Sequence, residues 1–361
     1  MIVESLELLD YRNYSHLNLQ FSEGINIFYG DNAQGKTNIL EALYVCGTTK
    51  SHRASVDKEL IQFDKQEAHI RVHLKKRDVP HKIDMHLKRT KTKGAAIDGI
   101  PIKKSSELFG LLNIIFFSPE DLSIIKNGPG ERRRFLDLEL CQLDRIYFHN
   151  LSHYNKVIKQ RNQLLKQINF QENLKETLEI WDEQLVQYGV EIIKRREKFL
   201  TMLNDMIGAI HSRLTGGRER LIISYEKNTS EETFLEQLRS KWSVDQKQCL
   251  TTIGPHRDDI CFKVNDIDIR KFGSQGQQRT AALSLKLSEI ELVKQMIGDT
   301  PILLLDDVLS ELDTKRKNFL LGSIEGVQTM ITCTGLDEFI HSQLTLNQIY
   351  EVSKGTVSKK N

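Results

Sequence analysis

The chain is 361 residues long, 39% hydrophobic and 28% charged, which predicts a globular protein of two or three structural units. Its net charge of +2 does not by itself point to nucleic acid, and apolar runs such as Leu111–Leu112 and Ile114 to Phe117 are too short to cross a bilayer. Five scattered cysteines without a C-x-x-C pair speak against a disulfide framework or zinc site, and early acids in the N-terminus speak against a signal peptide, so a cytoplasmic protein is expected.

In chain order, the first thirty residues read as strands: alternation marks Leu17, Leu19 and Phe21, and a buried strand INIFY ends at Gly30. An amphipathic helix follows from Lys36, with Ile39, Leu40, Leu43 and Tyr44 at helical spacing. HIRVHL and HKIDMHL are further strands, and AAIDGIPIKK is a hairpin turned at Asp98-Gly99. From Arg145 to Leu214 there is almost no Gly or Pro. Two apolar seams run there, one through Tyr147, Leu151, Tyr154, Ile158, Leu165 and Ile168, interrupted by Arg161. The other takes Trp181, Leu185, Tyr188, Ile192, Phe199, Met202 and Met206, interrupted by Arg195. Joined across NFQENLKET they predict an antiparallel helical hairpin, as a short coiled coil or as ordinary core helices. LIISYE, ICFKV and IDIRKF are strands, the last two pairing across Asn265-Asp266. Then come a long helix from Gln277, a buried strand ILLL, a helix from Ser310, a last strand TMITCT and a frayed basic tail, VSKGTVSKKN.

Gly30, Asp31, Asn32, Ala33, Gln34, Gly35, Lys36 and Thr37 fit G-x-x-x-x-G-K-[ST] between an apolar strand and a helix. Two glycines let the backbone wrap a phosphate chain with its N–H groups inward. Lys36 neutralises the β- and γ-phosphates, Thr37 offers its hydroxyl to Mg²⁺, and the helix points its positive end at the ligand. A random chain of this length carries such a match roughly 1% of the time. ILLLDD ends a buried strand in two carboxylates, Asp306 placed to hold Mg²⁺ and Asp307 to polarise an attacking water. Phe272-Gly273-Ser274-Gln275-Gly276-Gln277 opens the long helix and offers the Ser274 hydroxyl, the Gly276 amide and Gln277 as a second anion site; a simple helix cap is the competing reading.

The order phosphate loop, S-x-G-Q, ILLLDD and Ser310-Glu311-Leu312-Asp313 resembles the ABC-type ATPases of the chromosome-maintenance and DNA-repair branch. Within that branch, Tyr11-Arg12-Asn13-Tyr14, GDNAQGKTN (to Asn38), PEDLSIIKNGPGERRRFLD, Gly254-Pro255-His256-Arg257-Asp258-Asp259, FGSQGQQRT and LLDDVLSELD resemble the RecF family of bacterial recombination mediators over nearly the whole chain. The resemblance implies an α/β ABC-type ATPase head with an inserted helical arm: head 1–130, arm 131–244, head 245–361. It implies ATP and Mg²⁺ as cofactors and an ATP-dependent homodimer, in which Ser274, Gly276 and Gln277 of one subunit close over ATP held by the other. It also implies a slow DNA-stimulated ATPase that binds double-stranded DNA or a single/double-strand junction. RecO, RecR and RecA are the implied partners, with no membrane partner. Asp307 stands where typical ABC enzymes have Glu, and Thr332 or Thr334 where they have a switch histidine.

Several residues carry two readings. Arg12 reaches the nucleotide near the adenine or α-phosphate, or forms a surface ion pair. Gln62 is a Q-loop glutamine or a solvated residue. Eleven Lys/Arg against three Asp/Glu between Arg71 and Lys104 give a local +8 and leave the rest of the chain at −6. Within that run Lys88, Arg89, Lys91 and Lys93 contact DNA phosphates or are merely solvated. Arg132, Arg133 and Arg134 touch DNA or form the basic face of a helix start; His256 and Arg257 brace the site or a turn. Two further functions stand beside an ATP-induced dimer that clamps DNA: the ATPase subunit of a membrane transporter, and a short-armed chromosome-tethering ATPase.

Overall fold

The computed structural model describes residues 1–168, 174–336 and 346–360, apart from the side chains of Ser105, Lys175 and Leu346. These residues divide into two compact units, Met1–Asp121 with Leu285–Asn361, and Leu122–Ser284.

The first unit holds two six-stranded sheets. One is antiparallel throughout and built from β1 (Ile2–Tyr11), β2 (Tyr14–Gln20), β4 (Glu67–Lys76), β5 (Val79–Lys88), β6 (Gly94–Ile97) and β7 (Ile100–Pro101), in the order β2-β1-β4-β5-β6-β7. Its strands alternate: Ala68, Ile70, Val72 and Leu74 of β4 are buried, and the residues between them are not. Asp98 and Gly99 both take positive φ in the turn between β6 and β7, as the Asp-Gly pair predicts.

The second sheet has the order β15-β14-β3-β13-β12-β8, from β3 (Ile25–Tyr29), β8 (Ile114–Phe117), β12 (Ile302–Asp306), β13 (Thr329–Cys333), β14 (Leu346–Ser353) and β15 (Thr356–Lys360). All neighbours are parallel except β14 and β15. Unbroken apolar strands such as ILLL belong in a sheet covered on both faces. Helix α1 (Lys36–Thr48) shares one core with both sheets: Ile39, Leu40 and Leu43 pack with Leu6, Val72 and Ile83 of the first and with Phe28, Leu304 and Met330 of the second. It is therefore buried nearly all round, from Ile39 to Thr48, and the amphipathic expectation gives way to a central helix. The expected basic tail is also overturned. Its residues complete the hairpin β14–β15, because β14 adds itself in parallel to β3.

The second unit contains α2 (Leu122–Lys126), α3 (Pro129–Leu143), α4 (Arg145–Ile168), α5 (Lys175–Thr215), α6 (Phe234–Ser240), α7 (Trp242–Gln248) and α8 (Ile269–Phe272). An antiparallel sheet joins β11 (Ile267–Asp268), β10 (Asp259–Val264) and β9 (Leu221–Glu226). IDIRKF is thus only briefly a strand; Asp268 accepts the Arg270 N–H and caps α8. The unit boundaries fall at 121/122 and 284/285 rather than at 130/131 and 244/245. The reason is local pairing: β10 is bound to β9, and Arg132 of α3 holds Asp259 in a two-point ion pair.

Helices α4 and α5 pack together as the hairpin; part of the expected connection lies outside the described residues. The first seam is observed at Tyr147, Tyr154, Leu165 and Ile168 and widened by Val157 and Leu164, while Leu151 and Ile158 are only half-buried. The second shifts along its C-terminal half, where Leu200, Leu203, Ile207 and Ile210 are buried and Met202 and Met206 only half-buried. Both seams contain a buried arginine. Arg161, fully buried, donates to Asp182 at 2.6 Å and to Asp245 at 2.7 Å. In α5 the buried one is Arg196, which bonds Tyr147, Asp137, Asp258 and the Pro255 carbonyl; Arg195 instead pairs with Asp144 and Glu191. These are core helices built around buried ion pairs, not a plain heptad seam.

Helix α9 (Gln275–Ile297) contains the division between the units, and α10 (Thr314–Ser323) lies in the first. The helix expected from Ser310 starts instead at Thr314, where Asp313 caps the Arg316 N–H.

Candidate functional site

Three neighbouring parallel strands of the first unit, in the order β3-β13-β12, carry the site at their carboxyl ends, the usual place for a ligand on such a sheet. β3 runs into the loop from Gly30 to Thr37, β12 ends at Asp306, and Thr332 of β13 lies between, paired with Phe28 on one side and Asp306 on the other. The loop glycines are required here. Gly30 has φ +151°, and a Cβ there would meet the Val352 carbonyl oxygen at 2.2 Å; Gly35 has φ +115°, and a Cβ would meet the Asn13 side chain at 2.4 Å.

The Thr37 hydroxyl donates to Asp306 Oδ1 at 2.9 Å, so the phosphate loop and the strand-end carboxylate are joined. The Thr332 hydroxyl donates to the same oxygen at 2.7 Å and accepts the Asp307 N–H at 3.0 Å. Thr334 is exposed. Burial raises the Asp306 pKa, against the pull of these two hydroxyls. Asp307 sits in the left-handed region at φ +57°, and its buried Oδ1 has no hydrogen-bond partner among the described residues. A raised carboxyl beside an orphaned one fits a divalent cation, whose charge would compensate both. Lys36 is 6% exposed and donates to the carbonyls of Gly30 and Asp31, which holds its ammonium inside the loop.

The Tyr11–Tyr14 motif and the closing hairpin brace this loop. Asn13 donates to the Gln34 carbonyl and accepts from Asn38, both within 2.9 Å, and Tyr14 donates to the Gly35 carbonyl. From the β14–β15 turn, the Lys354 N–H donates to Gln34 Oε1 at 2.6 Å. Arg12 donates twice to Glu41, each at 2.8 Å, and once to the Glu59 carbonyl. Burial would raise the Glu41 carboxyl, yet Arg12, Ser51 and Arg53 together bring it down to about 2. The ion-pair reading of Arg12 is thus present, with a buried partner. Arg12 also lines a concavity of about 510 Å³ with Asn13, Asn38, Arg53, Ile61 and Phe63. Sequence reading missed Glu41, Ser51 and Arg53 because nothing local marks them; only the fold brings them to Arg12.

In the second unit, Ser274 and Gln277 form a capping box at the start of α9: Ser274 Oγ accepts the Gln277 N–H at 3.2 Å, and Gln277 Oε1 accepts the Ser274 N–H at 3.0 Å. The helix-cap reading is present in this chain, while Gly276 and the Ser274 side chain remain exposed. Helix α9 therefore starts at Gln275, two residues earlier than expected.

Among the basic candidates, Arg89 donates to the carbonyls of Lys65 and Gln62, and Lys93 is bound to Asp57 and the Thr49 carbonyl. Lys91 is exposed and Lys88 half-buried. Arg132 is 1% exposed and occupied by Asp259, and Arg133 donates to the Asp258 carbonyl, so the expected basic face reduces to Arg134. Gln62 bonds Ser15. His256 is held between Tyr154 and the Thr251 carbonyl, and burial lowers its pKa to about 4, so it serves the turn. Among the described residues no helix is long and apolar enough to cross a membrane.

Residues 2–358 match the family described as the RecF/RecN/SMC N terminal domain. The chain is 59% identical to a Lachnoclostridium phytofermentans protein called DNA replication and repair protein RecF, covering 99% of this chain and 100% of that one. It is 43% identical to a Clostridium botulinum protein of the same name, over 99% of each. Among solved structures, the recombination mediator protein RecF with ATP, from the RecFOR pathway, superposes with a TM-score of 0.93 at 36% identity, over 99% of this chain and 97% of that one. An Smc head bound to the C-winged helix domain of ScpA superposes with a TM-score of 0.58 at 16% identity, over 100% and 97%, which shows a shared fold.

Proposed function

This chain belongs to the RecF family of DNA replication and repair proteins, within the SMC-like ABC ATPases, and on that premise we propose that it is an ATP-gated DNA clamp of recombinational repair. The observation that carries the reading is the Thr37–Asp306 hydrogen bond with Lys36 buried in the loop beside it, which supports a phosphate site next to a cation site. The transporter and chromosome-tethering alternatives lose their ground with that membership.

In the proposed cycle, ATP lies along residues 30–38, with the amides of the loop on its phosphates and the Lys36 ammonium turned from its own carbonyls to the β- and γ-phosphates. The nucleoside then leaves past Asn38 towards Arg12 and its concavity. Thr37 and Asp306 would hold Mg²⁺, which supplies charge to offset the phosphate oxygens. Asp307 orients the attacking water; one methylene shorter than Glu, it suits slow turnover, a reset of the clamp rather than a power stroke. Ser274, Gly276 and Gln277 of a second copy cap the γ-phosphate, so ATP joins two heads and DNA stimulates hydrolysis in that dimer. Duplex DNA, or a single/double-strand junction, contacts the basic connection after β5 through Lys88 and Lys91, with Arg89 and Lys93 in supporting positions. The solved relative is named as a recombination mediator in the RecFOR pathway, which supports a role beside RecO and RecR; loading of RecA at single-strand gaps and a cytoplasmic setting complete the proposal.

Sedimentation with and without ATP, in the presence and absence of duplex DNA, tests this reading. A dimer that forms only with ATP and binds DNA only as a dimer is expected. A monomer that ignores ATP, or DNA binding indifferent to ATP, overturns it.

A further inference from the structure

We propose that Glu67, His69 and His86 form a binding site for a divalent transition-metal ion of the Zn²⁺ class, on the open face of the antiparallel sheet and separate from the nucleotide site. The strand geometry makes this constellation. His69 of β4 and His86 of β5 are direct cross-strand partners. Glu67 lies two residues before His69, so the alternation of β4 puts it on the same face, opposite the buried row Ala68, Ile70, Val72 and Leu74. The two imidazoles stand with ring centroids 4.0 Å apart. Glu67 Oε2 lies 2.8 Å from His86 Nε2, and one ligand atom of each residue lies within 4.8 Å of those of the other two.

Donors sharing a zinc ion at about 2.0–2.2 Å stand roughly 3.3 Å from one another, so small side-chain rotations at these partly exposed positions close the set. The backbone beneath does not need to move, because β4 is paired to β1 and β5, and β5 to β6. The competing explanation is a plain cross-strand pair with a hydrogen-bonded carboxylate. That pair would need only one imidazole beside the carboxylate, whereas here a second is stacked on the first on the same face.

The set also opens onto room for a further ligand. A concavity of about 500 Å³ is lined by His69 and His86 together with His16, Glu7 and Arg71. Three protein donors and one open position facing a cavity match a site that keeps an exchangeable ligand, water or a small anion. Two imidazoles and one carboxylate favour Zn²⁺, Co²⁺, Ni²⁺ or Cu²⁺ over Mg²⁺, whose preferred donors are oxygens, as offered by Thr37 and Asp306. The scattered cysteines bear only on thiolate sites, so they say nothing against this one.

The test is titration of the full chain, without nucleotide, with Co²⁺ and with Zn²⁺ in competition with a chromophoric chelator. The half-exposed Cys249 is replaced by Ser to remove its thiol. One equivalent of Co²⁺ with a visible ligand-field band is expected, displaced by Zn²⁺ and untouched by excess Mg²⁺. His69→Asn and His86→Asn should each weaken Zn²⁺ at least tenfold, and Glu67→Gln less, while His16→Asn leaves it unchanged. Paramagnetic broadening of histidine ring signals by Co²⁺ in the otherwise unaltered protein identifies the ligands without any of these variants; it should strike His69 and His86 first. Zn²⁺ affinity unchanged in the His69→Asn/His86→Asn double variant, broadening centred on other histidines, or no binding below millimolar metal overturns the proposal.

Discussion

The Thr332 hydroxyl donates to Asp306 at 2.7 Å, within the registered pair that joins β13 to β12. Through the Asp307 N–H that it accepts, it also ties down the left-handed backbone of the second carboxylate. Thr332→Val keeps the shape and removes both bonds, leaving a half-buried N–H unpaired. A loss of about 1–3 kcal/mol is expected in denaturant unfolding. Turnover of ATP should fall more than ATP affinity, and Thr332→Ser should restore both. Turnover at the unaltered rate in Thr332→Val would make this threonine a passive strand residue.

Lys36→Ala should fold and yet bind ATP far more weakly, because the ammonium is the charge opposite the β- and γ-phosphates. Nucleotide titration beside a thermal melt checks it; unaltered affinity removes Lys36 from the site.

Asp306 and Asp307 should separate in their effects. Asp307→Asn is expected to retain ATP binding and to lower kcat, Asp306→Asn to blunt the dependence on Mg²⁺. Asp306 adds a pH signature. Its pKa is raised in the folded state, so the stability it contributes is full below the unfolded carboxyl value, ~3.9, and is lost as pH rises through the folded value. Asp306→Asn should therefore stabilise the nucleotide-free protein near pH 7, on the order of 1 kcal/mol, and the gain should vanish in acid. A gain that grows in acid would show the opposite sign of coupling.

Ser274→Arg removes one half of the capping box, at about 1 kcal/mol, and places a bulky cation where a partner's γ-phosphate is proposed to bind. Monomeric ATP binding should survive, while ATP-induced dimerisation and DNA-stimulated hydrolysis disappear together. Light scattering in an Asp307→Asn background reads this directly. A dimer that still forms on ATP would reduce Ser274 to a helix cap.

Arg161→Leu should destabilise the helical unit by about 3–5 kcal/mol, since Asp182 and Asp245 would stay buried without their counter-charge. Replacing all three with well-packed apolar residues should recover most of the loss. Unfolding midpoints of the single and triple variants decide between an ion pair needed for stability and mere filling of space.

What the sequence determined by itself is what short spacing encodes. Gly30 to Thr37, ILLLDD and the Ser274–Gln277 cap are contiguous, and each has one local geometry that its residues permit, so loop, strand end and helix start were legible one by one. Their partners were not. That Thr37 meets Asp306 across 269 residues depends on β13 lying between β3 and β12, and that order is a property of the sheet. The closing residues looked solvated because their alternation is weak and basic; an open edge at β3 made them the hairpin β14–β15. Arg161 looked like an interruption of its seam, and Arg195 rather than Arg196 looked like that of the second, until acids from other elements met Arg161 and Arg196 in the core. The unit boundaries moved for the same reason: hydrogen-bond ladders and buried charges are satisfied by whichever partner the chain brings within reach, and only the tertiary structure chooses it.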